Sequence, residues 1–123
     1  MAQFDALFQP LKINNLTIRN RVVSTAHAEV YATEGGMTTE RYVKYYEEKA
    51  KGGVGLSICG GSSVVSIDSP QDWWKSVNLS TDRIIPHFQN LADAVHKHGG
   101  KIMIQITHMG RRSRWDGGNW STL

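Results

Sequence analysis

Three short stretches of this 123-residue chain carry residue types suited to holding a flat, polar ligand. Gln105 stands in Ile102-Met103-Ile104-Gln105-Ile106-Thr107-His108. Its amide offers a donor and an acceptor together, which suits a ligand edge carrying N–H beside C=O. Ser24-Thr25-Ala26-His27-Ala28 and Gly60-Gly61 supply small residues that let a flat molecule lie against backbone. The same residues have a plainer use, in which the glycines end a strand and Gln105 satisfies neighbouring backbone. His108 follows an alternating run and either faces a substrate or packs under the next loop.

Other conspicuous side chains have bland uses. His96 and His98 sit at the end of a helical pattern, where a solvated pair favourable to the helix dipole is expected rather than a metal site. Cys59 is the only cysteine and lies in an apolar run, so it is expected in the core, without a disulfide or a cysteine-based metal site. Trp73, Trp74, Trp115 and Trp120 stand in loops. They either cover apolar surface or line a mouth and stack on a cationic ligand.

Chemistry at strand tips requires a sheet to position it. Leu11-Lys12-Ile13 and Leu16-Thr17-Ile18 alternate around Asn14-Asn15, two residues that tolerate positive φ, and predict a tight hairpin. Arg21 to Ala26 predicts the first strand of a larger sheet, and His27 to Gly36 a loop. Thr38 is the expected cap of a helix with Tyr42, Tyr45, Tyr46, Lys49 and Ala50 at three- and four-residue spacing, stopped by Gly52-Gly53. Val54 to Cys59 reads as a buried strand ended by Gly60-Gly61, and a long loop with Ser69-Pro70 follows. Pro86 to His98 reads as a helix carrying Phe88, Leu91, Ala92 and Val95 on one face, and Lys101 to Thr107 as the third core strand. The order hairpin, β, α, β, α, β calls for right-handed crossovers and a parallel sheet, an α/β fold. Arg111 to Leu123 predicts only a loop, so one face of the sheet is expected to lie bare, as in the front part of a larger protein.

Composition excludes several classes. The chain is 40% hydrophobic and 20% charged, ordinary for one folded domain. Its net charge of +3 comes from scattered Lys and Arg with no basic stripe, so no nucleic-acid partner is expected. No apolar stretch reaches membrane-spanning length and no signal-peptide core is present, so a cytoplasmic protein without membrane contact is expected. No G-x-G-x-x-G follows a strand, which argues against a Rossmann NAD domain.

Four ordered motifs carry a resemblance over nearly the whole chain. They are Leu7-Phe8-Gln9-Pro10-Leu11-Lys12-Ile13, Leu16-Thr17-Ile18-Arg19-Asn20-Arg21-Val22-Val23, Tyr45-Tyr46-Glu47-Glu48-Lys49-Ala50-Lys51-Gly52-Gly53 and Ile104-Gln105-Ile106-Thr107-His108-Met109-Gly110-Arg111. Together they resemble the old yellow enzyme family of FMN-dependent NADH:flavin oxidoreductases, in the branch of 2,4-dienoyl-CoA reductase and trimethylamine dehydrogenase. Ser24 to Glu29 and Thr107 to Trp115 are similar in wording to N-methylproline (stachydrine-pathway) demethylases.

The resemblance implies a TIM (β/α)8 barrel of roughly 250 residues, plugged at the bottom by the hairpin, with FMN across the top. Residues 1–123 would supply the N-terminal segment of that FMN-binding barrel, incomplete, with the plug, about three strands and two helices. Carried over by position, Ala26, His27 and Ala28 would pass under the isoalloxazine by backbone contact. Gly61 would lie near its pyrimidine side, and Gln105 would hydrogen-bond the pyrimidine edge. Alanine at position 28 cannot attach a flavin as a cysteine there would, so covalent FMN through it is excluded. Gly61 stands where the amine dehydrogenase carries an aromatic wall, so that relative's cation–π cage does not transfer.

The implied reaction is hydride transfer between a small-molecule substrate carbon and flavin N5. It would serve either oxidative demethylation of an N-methylated amine or amino acid such as N-methylproline, or reduction of a conjugated enoyl thioester. Catalytic groups are expected beyond Leu123, with His108 the candidate within the chain and no metal ligand here. The complete protein would add a 4Fe–4S cluster and FAD or NAD(P)H, with ligands outside these residues, and would form a homo-oligomer. A non-catalytic barrel piece, inactive alone, is the reading of another class.

Overall fold

The computed structural model describes residues 4–66, 69, 75–108, 115–116 and 119–120. Strands β1 (Leu11–Ile13) and β2 (Leu16–Ile18) pair antiparallel, with Lys12 opposite Thr17. Of the two asparagines between them only Asn14 takes positive φ, at 51°. A third strand, β3 (Val23–Ser24), is shorter than the expected Arg21 to Ala26.

Helix α1 (Glu40–Lys51) buries Tyr42, Val43, Tyr46, Glu47 and Ala50, one stripe at three- and four-residue spacing. Its cap is Thr39 and not Thr38: the Thr39 hydroxyl oxygen accepts from the Tyr42 N–H at 3.2 Å and itself donates to the Tyr31 carbonyl at 2.5 Å. Thr38 is buried instead. Helix α2 (Ile85–His96) follows a short 3-10 turn, Asp82–Ile84, and buries Leu91 and Val95. It ends two residues before the expected His98.

Strands β4 (Leu56–Val64) and β5 (Lys101–Thr107) complete a three-stranded parallel sheet in the order β3-β4-β5. The crossovers through α1 and α2 are those of consecutive units in a (β/α)8 barrel. β4 departs from expectation, because it does not stop at Gly60-Gly61. Cys59 pairs with Ile104 and Ser63 with Ile106, so β4 spends four steps where β5 spends two. The glycines form a bulge rather than an end. Gly60 adopts φ +75°, where a Cβ would collide with Ser63 Oγ, and that hydroxyl donates to the Gly60 carbonyl at 3.1 Å.

The core lies between helices and sheet. Tyr42, Tyr46, Ala50, Cys59, Leu91 and Val95 form it, with Ile102 and Ile104 packed against it. Met103 and Gln105 alternate with those two isoleucines and are exposed. Val23, Met103 and Ile106 are exposed apolar side chains of the sheet.

At the amino ends of β4 and β5 the segment after the hairpin is tied in by side chains. Arg19 donates to the carbonyls of His98 at 2.6 Å, Val54 at 3.0 Å and Ala50. Asn20 donates to the Gly53 carbonyl at 2.7 Å, and its amide oxygen accepts from Val22 N–H at 3.1 Å.

Strands β6 (Trp115–Asp116) and β7 (Asn119–Trp120) pair antiparallel, where only a loop was expected. The sequence carries the reason, since Gly117-Gly118 between them is a two-residue hairpin signal. Pro70, Trp73, Trp74, Met109, Gly110 and Arg111 lie outside the described residues. Among the described residues no helix is long and apolar enough to cross a membrane.

Candidate functional site

The carboxyl ends of parallel strands are where loops leave the sheet and ligands gather. The structure brings together there the residues singled out from sequence. Ala26 and His27, half-buried, and exposed Ala28 follow β3, Gly61 sits in the bulge of β4, and exposed Gln105 lies near the end of β5. The Gly61 N–H donates to the His27 carbonyl at 3.1 Å, and Gln105 Nε2 donates to the Gly61 carbonyl at 3.0 Å.

Two consequences follow from that geometry. A Cβ at Gly61 would lie 2.5 Å from the His27 carbonyl carbon and 2.8 Å from Ala28 N, so only glycine lets the two backbones approach this closely. Gln105 does satisfy neighbouring backbone, the plainer of its two uses, yet the bond takes only one of its two N–H donors and leaves its carbonyl oxygen uninvolved in that contact. His108 directly follows β5 and is exposed.

Behind these strand ends lies a polar seam that the sequence pattern did not reveal. His27 Nε2 is 2.7 Å from the Tyr45 hydroxyl on α1, with the two rings edge to face. Lys49 lies 4.3 Å from the centre of the Tyr45 ring and donates to Ser24 Oγ at 2.9 Å. Helical spacing marks Tyr45 only as a packing residue, and its partner is 18 positions away, so no local signal could have found the pair.

Glu29 also belongs here. One of its carboxylate oxygens is buried with no hydrogen-bond partner among the described residues. Burial pushes its pKa up, against backbone hydrogen bonds and the nearby His27 and Lys49 that pull it down. Burial, with Glu29 adding repulsion, raises the Cys59 thiol to about 12, and burial likewise raises Tyr42. Cys59 is therefore a protonated core thiol and no nucleophile.

The expected solvated pair at the end of α2 is half corrected. His96 is exposed, but His98 Nε2 faces Glu47 Oε1 at 3.3 Å, across from α1. Among the described residues no three His, Cys, Asp or Glu side chains gather as metal ligands.

Comparison with known proteins gives these residues a context. The sequence profile of the NADH:flavin oxidoreductase / NADH oxidase family matches residues 6–121. The chain is 88% identical over 120 residues to the N,N-dimethylglycine/sarcosine dehydrogenase of Chromohalobacter salexigens, covering 98% of this chain and 17% of that protein. It is 47% identical over 116 residues to the probable N-methylproline demethylase of Rhizobium meliloti, covering 94% of this chain and 17% of that protein. Among solved structures, the old yellow enzyme of Trypanosoma cruzi superposes with a TM-score of 0.79 at 33% identity, over 89% of this chain and 29% of that one. The chain thus spans about a sixth of the length of these curated relatives.

Proposed function

Since residues 6–121 place the chain in the NADH:flavin oxidoreductase / NADH oxidase family, we propose that residues 1–123 form the opening β/α units of an FMN-binding (β/α)8 barrel domain and hold one edge of the flavin. The observation that carries this reading is the hydrogen-bonded convergence of the 26–28 backbone, Gly61 and Gln105 at the strand tips. The residues present suit the group. Ala26 and Ala28 carry small side chains that leave room for a flat ring, and the Gln105 amide retains a donor and an acceptor for a pyrimidine edge. FMN, when bound, supplies the hydride acceptor or donor, and the polar contacts tune its electronics. Ala28 offers no thiol, so the cofactor is held without a covalent bond at this position.

The complete protein is proposed to oxidise the N-methyl carbon of a small N-methylated amino acid. The resulting iminium is then hydrolysed to the demethylated amine and formaldehyde. Support for this substrate class comes from the relatives named for N,N-dimethylglycine, sarcosine and N-methylproline. Residues outside this chain are proposed to supply the proton-transfer groups, a 4Fe–4S cluster and an FAD or NAD(P)H site. The 123 residues alone are accordingly proposed to be inactive. A cytoplasmic homo-oligomer acting on a small molecule, without nucleic acid or membrane, completes the proposal.

The test is purification of the complete reading frame that carries this chain. A flavin absorption band is expected, with formaldehyde released from dimethylglycine, sarcosine or N-methylproline. Turnover of a dienoyl-CoA without formaldehyde from any amine would move the reading to enoyl reduction. Lack of a flavin band, with no FMN taken up on titration, would overturn it entirely.

A further inference from the structure

One continuous hydrogen-bonded path joins helix α1 to all three strand ends. His27 Nδ1 faces the Thr25 carbonyl at 3.2 Å. A carbonyl only accepts, so in the neutral ring Nδ1 carries the proton and Nε2 accepts from the Tyr45 hydroxyl at 2.7 Å. The His27 carbonyl accepts from Gly61, and the Gly61 carbonyl accepts from Gln105. Tyr45 itself is held on several sides, edge to face with Tyr31 and Tyr46 and beneath the Lys49 ammonium.

We propose that Tyr45, acting through the His27 imidazole, is a positioning residue that sets the backbone of residues 26–28 against Gly61 and Gln105, and so fixes the flavin-facing edge. The proposal rests on the FMN reading given above. Its physical basis is the shortness of β3. Only Val23 and Ser24 pair with β4, opposite Leu56 and Ser57, and past Ser24 the ladder no longer holds the chain. Besides the local contact of its Nδ1 with the Thr25 carbonyl, His27 has two links that reach other elements: its carbonyl to Gly61 and its ring to Tyr45. The first joins a strand exit to a bulge, and neither His27 nor Gly61 is held there by a registered strand pair. The second reaches a helix whose Tyr42, Tyr46 and Ala50 are buried in the core. Rigidity therefore enters the edge from α1. Small residues at 26 and 28 are consistent with a segment located by one ring rather than by packing of its own.

Tyr45→Phe removes the hydroxyl and keeps every ring contact. In the complete FMN-loaded protein it is expected to raise the FMN dissociation constant about fivefold, the scale of one neutral hydrogen bond, and to shift the flavin midpoint potential. The thermal midpoint should move by less than about 4 °C. His27→Gln, whose amide can still meet the hydroxyl, is expected to bind FMN more tightly than His27→Ala. A Tyr45→Phe protein with wild-type FMN affinity and potential would overturn the proposal, as would equal affinities of the two His27 variants. If the wild-type protein takes up no FMN, the cofactor reading fails by itself. The clamp is then judged by amide hydrogen exchange at residues 26–28 and 61, where Tyr45→Phe is expected to speed exchange and unchanged rates would sink it.

Discussion

A single methyl group decides whether the candidate edge can close. At Gly61 a Cβ would press on backbone atoms of His27 and Ala28, which have no rotamer to retreat into. Gly61→Ala is therefore expected to cost about 2 kcal/mol of stability, in the range for overpacking, and to weaken FMN binding in the complete protein. Chemical denaturation and FMN titration of the variant measure the two effects. At this scale Ala26, His27, Ala28, Gly61 and Gln105 could be singled out from sequence because each stands in a contiguous motif, and the structure joins His27, Gly61 and Gln105 by hydrogen bonds. Tyr45 and Glu29 were not legible. The importance of Tyr45 depends on a partner from another element, and that of Glu29 on burial by residues distant in sequence.

The helices illustrate how an element can be foreseen while its contacts are not. Periodicity located α1 and α2 to within two residues, and β5 matched its expected bounds. The Gly60-Gly61 bulge was misjudged because glycine ends strands and bulges them by the same freedom of φ, and only the partner strand decides which. Likewise, nothing local to Glu47 announces that it ties α1 to the end of α2. Lys44 Nζ donates to it at 2.6 Å, and His98 lies 3.3 Å away on its other oxygen. The Lys44 hydrogen bond, followed by that of His98, lowers the Glu47 carboxyl from 4.5 to about 2. A carboxyl more acidic when folded than when unfolded contributes stability above pH 4.5, and loses it as the pH falls toward 2. Glu47→Gln is thus expected to flatten the acid limb of stability between those values. Circular dichroism against pH, in wild type and variant, reads the difference.

For the whole molecule, the Arg19 guanidinium joins three distant parts of the chain. It meets carbonyls at the end of α1, before β4 and beyond α2, each of which would otherwise be left without that donor. Arg19→Ala is expected to cost about 3 kcal/mol, the scale of losing charged-donor hydrogen bonds to part-buried carbonyls. Arg19→Lys should recover only part of this, since an ammonium lacks the planar fork that spans several acceptors. Denaturant midpoints of the three proteins give the comparison. The family resemblance implied a hairpin plug at the base of a barrel, and the Arg19 side chain, just after the hairpin, reaches the amino ends of β4 and β5.

That contact also orders events during synthesis. Arg19 and His98 are 79 positions apart, so at about 5–20 residues per second the guanidinium waits roughly 4–16 s for its last acceptor to be made. Until then the hairpin segment has Ala50 and Val54 to hold but not α2, and the nascent chain must keep this basic group from other carbonyls in the meantime.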